Sequence, residues 1–390
     1  MSFTRNEPIV SLFPHLDDVS RHLVNRIPTL VDELFPLPGR FRAGLPRDVA
    51  TLSSLLTFSR GDRSGAYLGK APLLSAYLRY FMPWNVYRLC RLLPNLPITL
   101  NDGDSIVDLG SGPLTLPIAL WIARPELRTR RLELRCLDQT GAALDAGKKL
   151  IDALSGGSST WTIRLIRAPL GAELRGPKPA LVTAINVFNE LFWGIAHGQT
   201  AALTAFVERN VRLLTSLTTE DASVLVVEPG IPQSGAFIAM LRAAFIKRGR
   251  MPCAPCPHVE RCPCSDDGLN HGKAKWCHFA FDTSDAPKPL LRLSDAAGIP
   301  KERATMSFLM TGKPEHTSEG FMTRVISDAF PVGAPLYGRY ACSARGLVLL
   351  TGIRTALEQL PSGALLCLDP PDERVPLARD PKSHALVVKI

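Results

Sequence analysis

Short apolar runs at 105–109, 132–137, 161–167, 181–187, 223–230, 305–310 and 347–350 recur along the chain, and stretches with apolar residues at helical spacing separate most of them. Runs of this length, bounded by Gly, Pro, Asn and Asp, predict strands. Their alternation with helices predicts a mainly parallel, doubly wound sheet of these seven strands. Ahead of it the rhythm differs. Leu23, Val24, Ile27, Leu30, Val31 and Leu34, then Leu52, Leu55, Leu56, Leu73, Leu74, Tyr77, Tyr80 and Phe81, keep helical spacing, with proline breaks at Pro28, Pro36 and Pro38. Residues 1–98 are therefore expected to form a helical N-terminal domain.

A chain of 390 residues has room for two or three domains and a sizeable core. It contains no apolar run of about 18 residues, so no membrane span is expected. The opening residues lack the apolar segment of a secretory signal, which predicts a cytoplasmic protein. The net charge of +9 and pI near 9.2 make an anionic partner plausible. Basic residues gather at Arg124, Arg128, Arg130, Arg131 and Arg135, and again at Arg242, Lys247, Arg248 and Arg250. Each cluster also reads as a solvated helix face. Of nine cysteines, five fall within 253–277, and in a chain without an export signal such clustering points to metal ligation.

Candidate chemistry begins at 104–120, where a short strand carrying Asp108 runs into Gly110-Ser111-Gly112 and then a helical apolar pattern. Glycines there let the backbone approach a ligand, and the helix start offers free N–H groups. A dinucleotide fingerprint would add a third glycine, whereas Gly112 is followed by Pro113-Leu114-Thr115-Leu116. The run VDLGSGPLTLPIAL instead resembles the cofactor motif of class I S-adenosylmethionine-dependent methyltransferases. That resemblance implies a Rossmann-like seven-stranded sheet and a cofactor held by Asp108, Gly110, Ser111 and Gly112. Asp138 ends the second strand, where a carboxylate can accept hydrogen bonds from a ribose diol.

Ligands of open sheets sit beyond the carboxyl ends of the strands, so Asn186, Asn189 and Glu190, after the fourth, are expected to face an acceptor. An amide can grip an acceptor amine and a carboxylate can take its proton. The alternative is an N-cap pair opening the next helix. Between Tyr67 and Arg91 lie Trp84, Tyr87 and Arg88, which suit base stacking and core packing equally. Asp369-Pro370-Pro371 resembles an amino-group methyltransferase signature but follows the last expected strand, and is read as a turn.

The cysteine segment holds Cys253, Cys256, His258, Cys262, Cys264 and Cys277. Its spacing is neither a zinc ribbon nor a radical-enzyme motif. Three thiolates from Cys256, Cys262 and Cys277, with a fourth from elsewhere, would hold an iron-sulfur cluster or zinc. Taken together, VDLGSGPLTLPIAL, NVFNEL, VVEPGIPQSG, CAPCPHVERCP, WCHF and GRYACSARG are similar to the Rsm-type methyltransferase-like proteins of the ribosomal small subunit. This resemblance, over roughly 70–350, implies a monomeric factor that binds the small subunit and its rRNA. It implies a [4Fe-4S] cluster, with zinc as alternative, on Cys256, Cys262, Cys277 and Cys342, and leaves transferase activity open. Cys253, Cys264 and His258 are the other candidates for the fourth ligand. The acidic stretch at 281–285 departs from the family pattern and weakens the case for RNA contact there.

The expected organisation is thus an α/β class I methyltransferase fold: 1–98 helical, 99–250 the first part of the methyltransferase domain, 251–302 a cysteine-rich metal-binding insertion, 303–353 the last strands, and 354–390 a C-terminal extension. Two other functions compete with a methyltransferase-like rRNA factor. They are an inactive RNA-binding assembly module with a structural metal, and a small-molecule methyltransferase.

Overall fold

The computed structural model describes residues 10–57, 67–192, 194–195, 200–265, 276–312, 321–368 and 378–390. Among these residues fifteen strands run in chain order as β1 (Val10–Ser11), β2 (Ser105–Leu109), β3 (Glu133–Asp138), β4 (Thr162–Arg167), β5 (Leu181–Ile185), β6 (Ser223–Pro229), β7 (Pro252–Ala254) and β8 (Phe279–Asp282). They continue as β9 (Arg303–Thr311), β10 (Phe321–Val325), β11 (Phe330–Gly333), β12 (Leu336–Ser343), β13 (Gly346–Gly352), β14 (Ala364–Leu368) and β15 (Leu386–Lys389). The asp-pro-pro turn expected at 369–371 lies outside the described residues.

The N-terminal helices are α1 (Asp18–Leu34), α2 (Gly39–Arg42), α3 (Leu45–Thr57), α4 (Ala71–Ala76) and α5 (Met82–Leu92), the last two joined by a π-helical turn, Tyr77–Phe81. Asp17 caps α1 by accepting the N–H of Ser20 at 2.7 Å. Pro28, expected to break the chain, lies inside α1. It removes one backbone donor, but Val24, Ile27, Leu30 and Val31 bury a continuous stripe around it, and that burial outweighs the missing bond. Core packing also claims Trp84 and Tyr87, both buried, while half-buried Arg88 donates to the Thr305 carbonyl at 3.1 Å; Arg91 is buried as well. Arg91 forms a 2.8 Å ion pair with Asp285, whose other oxygen accepts the N–H of Leu16 at 3.0 Å. The acidic departure noted in the sequence thus contributes an internal counter-charge.

The first sheet has the order β4-β3-β2-β5-β6-β9-β7, with β8 paired to β9. From β4 through β6 all pairs are parallel, while β9 runs antiparallel to β6. Every residue of β2 is buried, as a parallel strand covered on both faces should be. Helices α6 (Thr115–Ala123) and α7 (Gly141–Leu154) bury one face. After the short α8 (Phe188–Leu191), α9 (Thr200–Leu217) and α10 (Pro232–Ile246) bury the other. Chain order reverses between β2 and β5, which places the crevice of a doubly wound sheet there.

The run 347–350 does not complete this sheet. It lies in β13, within a second, seven-stranded sheet of order β1-β14-β10-β12-β13-β15, with β11 on β12. Residues 354–390, expected to be an extension, supply two of its strands after α12 (Arg354–Glu358). Its core is Phe321, Val325, Ala341, Val348, Leu350, Leu366 and Val388. The remaining helix, α11 (Lys288–Ala296), joins β8 to β9. No helix among the described residues is long and apolar enough to cross a membrane.

One contact fixes α7 against the glycine turn. A Cβ on Gly147 would stand 2.3 Å from the carbonyl carbon of Pro113. Gly147→Ala should therefore destabilise by about 1–3 kcal/mol, read as a lowered melting temperature. An unchanged melting temperature would show that the turn yields freely.

Candidate functional site

A cavity of about 570 Å³ opens at the switch point, lined by the glycine turn, the ends of β3, β4 and β5, helix α9, and Tyr77 from the π-helical turn. Its volume is that of a small-ligand pocket. Gly110 and Gly112 both line it and both have positive φ, 66° and 51°, which glycine adopts without strain. A Cβ on Gly110 would meet the Val187 side chain at 2.5 Å, whereas one on Gly112 would meet nothing within 4 Å. Ser111 is buried; its Oγ donates to the Asp108 carbonyl at 2.8 Å, so it braces the turn from behind.

The two expected cofactor carboxylates behave differently. Asp138 lines the cavity. Its Oδ2 accepts the N–H of Gly112 at 2.9 Å and its Oδ1 that of Thr140 at 2.7 Å, which ties the turn to the end of β3 while leaving lone pairs for a ligand. Asp108 does not line the cavity. It is 2% exposed, and its Oδ1 accepts from Thr183 Oγ1 at 2.7 Å, inside the sheet. Burial pushes its pKa up to about 6, against the hydrogen bonds of Thr183 and Ser111.

On the opposite wall, Asn186 and Glu190 line the cavity. Asn186 takes the left-handed conformation at φ 57°, which Asn tolerates better than most residues and which ends β5. Asn189, expected beside them, is buried behind the wall. The cause is Glu228, a buried carboxylate at the end of β6 that accepts the N–H groups of Phe188 at 2.8 Å and Asn189 at 3.1 Å. The capping role considered for the asparagines thus falls to Glu228. Tyr77 faces the same space, its phenol pushed far up by burial and by the charges of Glu190 and Asp138. Sequence reasoning assigned Tyr77 only to a helix and passed over Thr140, Arg209 and Asn210. Glu228 and Thr183 carried a signal, since each interrupts an apolar strand.

The cysteine candidates are neighbours. Burial pushes the Cys342 thiol up, and so do Cys256, Cys262 and Cys277. Cys277 is likewise raised by burial, then by Cys262 and Cys256, and Cys256 rises to about 11 through burial, with Cys262 adding to it. Cys264 joins the group by a hydrogen bond with Cys262, and His258 Nε2 lies 3.1 Å from Cys342 Sγ. Buried Arg242 acts on Cys256, Cys277 and Cys342, and Arg324 on Cys256. Cys253 stands aside, its Sγ 3.4 Å from the Met310 carbonyl. No three His, Cys, Asp or Glu side chains among the described residues stand as a formed ligand set. Cys256, Cys262, Cys277 and Cys342 thus share one buried neighbourhood in which burial and mutual proximity favour the neutral thiols.

Asp108 gives a pH prediction. A carboxyl raised to about 6 from 3.8 leaves the fold most stable where it is protonated, and that contribution is lost as pH rises through 6. The melting temperature of Asp108→Asn relative to the parent should climb from pH 4 to 6 and level off above. Parallel pH curves would contradict it.

A search of curated proteins found no match. Among solved structures, a methyltransferase from Pyrococcus furiosus is 8% identical over 55% of this chain and 78% of that one, with a TM-score of 0.31. Phosphoethanolamine N-methyltransferase 2 of Haemonchus contortus, solved with S-adenosyl-L-methionine, is 10% identical over 66% of this chain and 61% of that one, with a TM-score of 0.34. The sequence model of one family matches residues 74–332, from α4 through the first sheet and the cysteine segment to β11. By that match the chain belongs to the family described as mitochondrial small ribosomal subunit Rsm22.

Proposed function

We propose that this chain is a methyltransferase-like factor of the small ribosomal subunit that binds S-adenosylmethionine in the switch-point cavity and contacts or methylates small-subunit rRNA, as a monomer in the cytoplasm. The observation that carries this reading is the meeting of Asp138 and Gly112 at the edge of a 570 Å³ cavity, in a chain of this family. Asp138 would take the ribose hydroxyls and the glycine turn would admit the methionine end. When bound, the cofactor supplies an electrophilic methyl group. Methyl transfer then asks little of a protein beyond alignment and a path for a proton. Asn186 would orient the acceptor and Glu190 would receive the proton. Asn189 and Asp108 support the walls from behind and are given no contact with ligand.

The donor set of Cys256, Cys262, Cys277 and Cys342 fits a metal that prefers sulfur, and Arg242 and Arg324 would offset thiolate charge. We assign it a [4Fe-4S] cluster, with zinc as the alternative. Bound there, the group supplies a cross-link between the β7–β8 connection and β12. A second reading, an assembly module without turnover, draws support from Asp138, both of whose oxygens already serve backbone N–H groups.

Calorimetric titration of S-adenosylmethionine should show saturable binding that weakens at least about tenfold in Asp138→Ala, the loss of hydrogen bonds to a charged group. Absence of saturable binding by the parent would remove the cofactor from the reading. Metal content tests the thiols separately: protein from its native host should carry iron with visible thiolate-to-iron absorbance, and Cys256→Ser should lose both. Zinc in place of iron would select the alternative, and a metal-free parent would sink the assignment.

A further inference from the structure

We infer that the outer face of α9 and the end of α10 is a docking surface for single-stranded RNA, running from Arg209 at the cavity mouth along Arg212, Lys247 and Arg248. The inference rests on the reading above for its partner, but on separate observations for its place.

The basic clusters seen in the sequence are mostly consumed inside the fold. Arg124 donates to the carbonyls of Leu93, Leu96 and Ile98, Arg128 to those of Trp121 and Ile122, and Arg135 to those of Arg175 and Pro177. Arg242 donates to the His258 carbonyl and Arg250 to that of Ala222. Many exposed cations elsewhere face a carboxylate: Lys148 with Asp152, Arg164 with Glu133, Arg303 with Asp328, Arg354 with Glu358.

The α9–α10 face is different. Arg209, Arg212, Lys247 and Arg248 are all exposed, and the acid among them is Glu208. Arg248 pairs with Glu208, and Arg212 and Lys247 act on the same carboxylate, holding it below its ordinary value after the hydrogen bond from Arg248. Glu220, past the end of α9, acts on Arg250. Net positive charge therefore remains along the face, and Arg209 and Arg212, three residues apart, are neighbours on one helix.

The ridge leads into the cavity. Arg209 lines it, with its guanidinium 5.3 Å from the centre of the Phe206 ring. Leu191, 49% exposed, lines the same mouth. A planar, apolar-faced base fits against an arginine and a leucine at such a mouth, while neighbouring phosphates take the cations beyond it. A duplex holds its bases in the stack and cannot present one this way without extruding it.

The probe is a mixed-sequence single-stranded RNA of about 20 nucleotides, titrated by fluorescence anisotropy at several salt concentrations. Four phosphate contacts on a single strand give a log–log salt slope near about −2.8, and neutralising two of them in Arg212→Gln/Lys247→Gln should reduce its magnitude by about 1.4. Both residues lie outside the cavity, so S-adenosylmethionine binding of the variant should match the parent. Arg130→Gln/Arg131→Gln, on exposed cations of another face, should leave the slope unchanged. An unaltered slope in the first variant, an equal fall in the second, or no RNA binding by the parent at low salt would each overturn the proposal and return the ridge to solvent or to an acidic protein. The expected slopes in a parent that binds no cofactor would uphold the ridge and remove only the cofactor.

Discussion

The glycine turn after β2 is held by contacts too close for any side chain, and the site depends on them. Val187 presses on Gly110 from the end of β5, and Pro113 presses on Gly147 of α7 from the turn itself. A side chain in the first case and backbone in the second stand where a Cβ would be, so the turn has little room to move. Asp138 then fastens the turn to β3 through Gly112. The cavity is a consequence of this wedge: its floor is the turn, and its two walls are the strand ends on either side of the topological reversal.

Around that wedge the chain uses buried polar groups as spacers. Glu228 shapes the wall after β5 by holding two N–H groups. Asp108 and Thr183 join neighbouring strands beneath the floor. At a distance, Arg91 and Asp285 lock the amino-terminal segment onto α5 and the turn after β8. A partnered charge of this kind is weak evidence for stability, yet it satisfies carbonyls of Phe13 and Pro14 that helix and sheet leave open.

Strands β2, β3, β5 and β6 were legible because parallel strands buried on both faces are written as apolar runs, and β4, at the sheet edge, by its alternation of exposed and half-buried positions. The second sheet was not. Its strands carry Arg324 and Arg339, whose guanidinium groups are buried by donating to carbonyls at Pro255, Gly363, Leu357 and Ser327, and no periodicity announces an arginine that will be satisfied that way. β7 is three residues long, begins with proline and contains Cys253, so it read as part of the cysteine segment. Asp138 was legible as a strand-end acid. The inward turn of Asp108 was not, because a strand buried on both sides does not mark which face its one polar residue takes. Cys342 entered through family resemblance, since it lies 65 positions beyond Cys277.

The second sheet joins distant parts of the chain. Val10 and Ser11 pair with Leu365 and Ala364, and β15 lies parallel to β13. During synthesis β1 must therefore wait, unpaired, until β14 has left the ribosome. Contacts of such long sequence separation form late and slowly, so this sheet is the last part of the molecule to close, and a chaperone would find its exposed edge there.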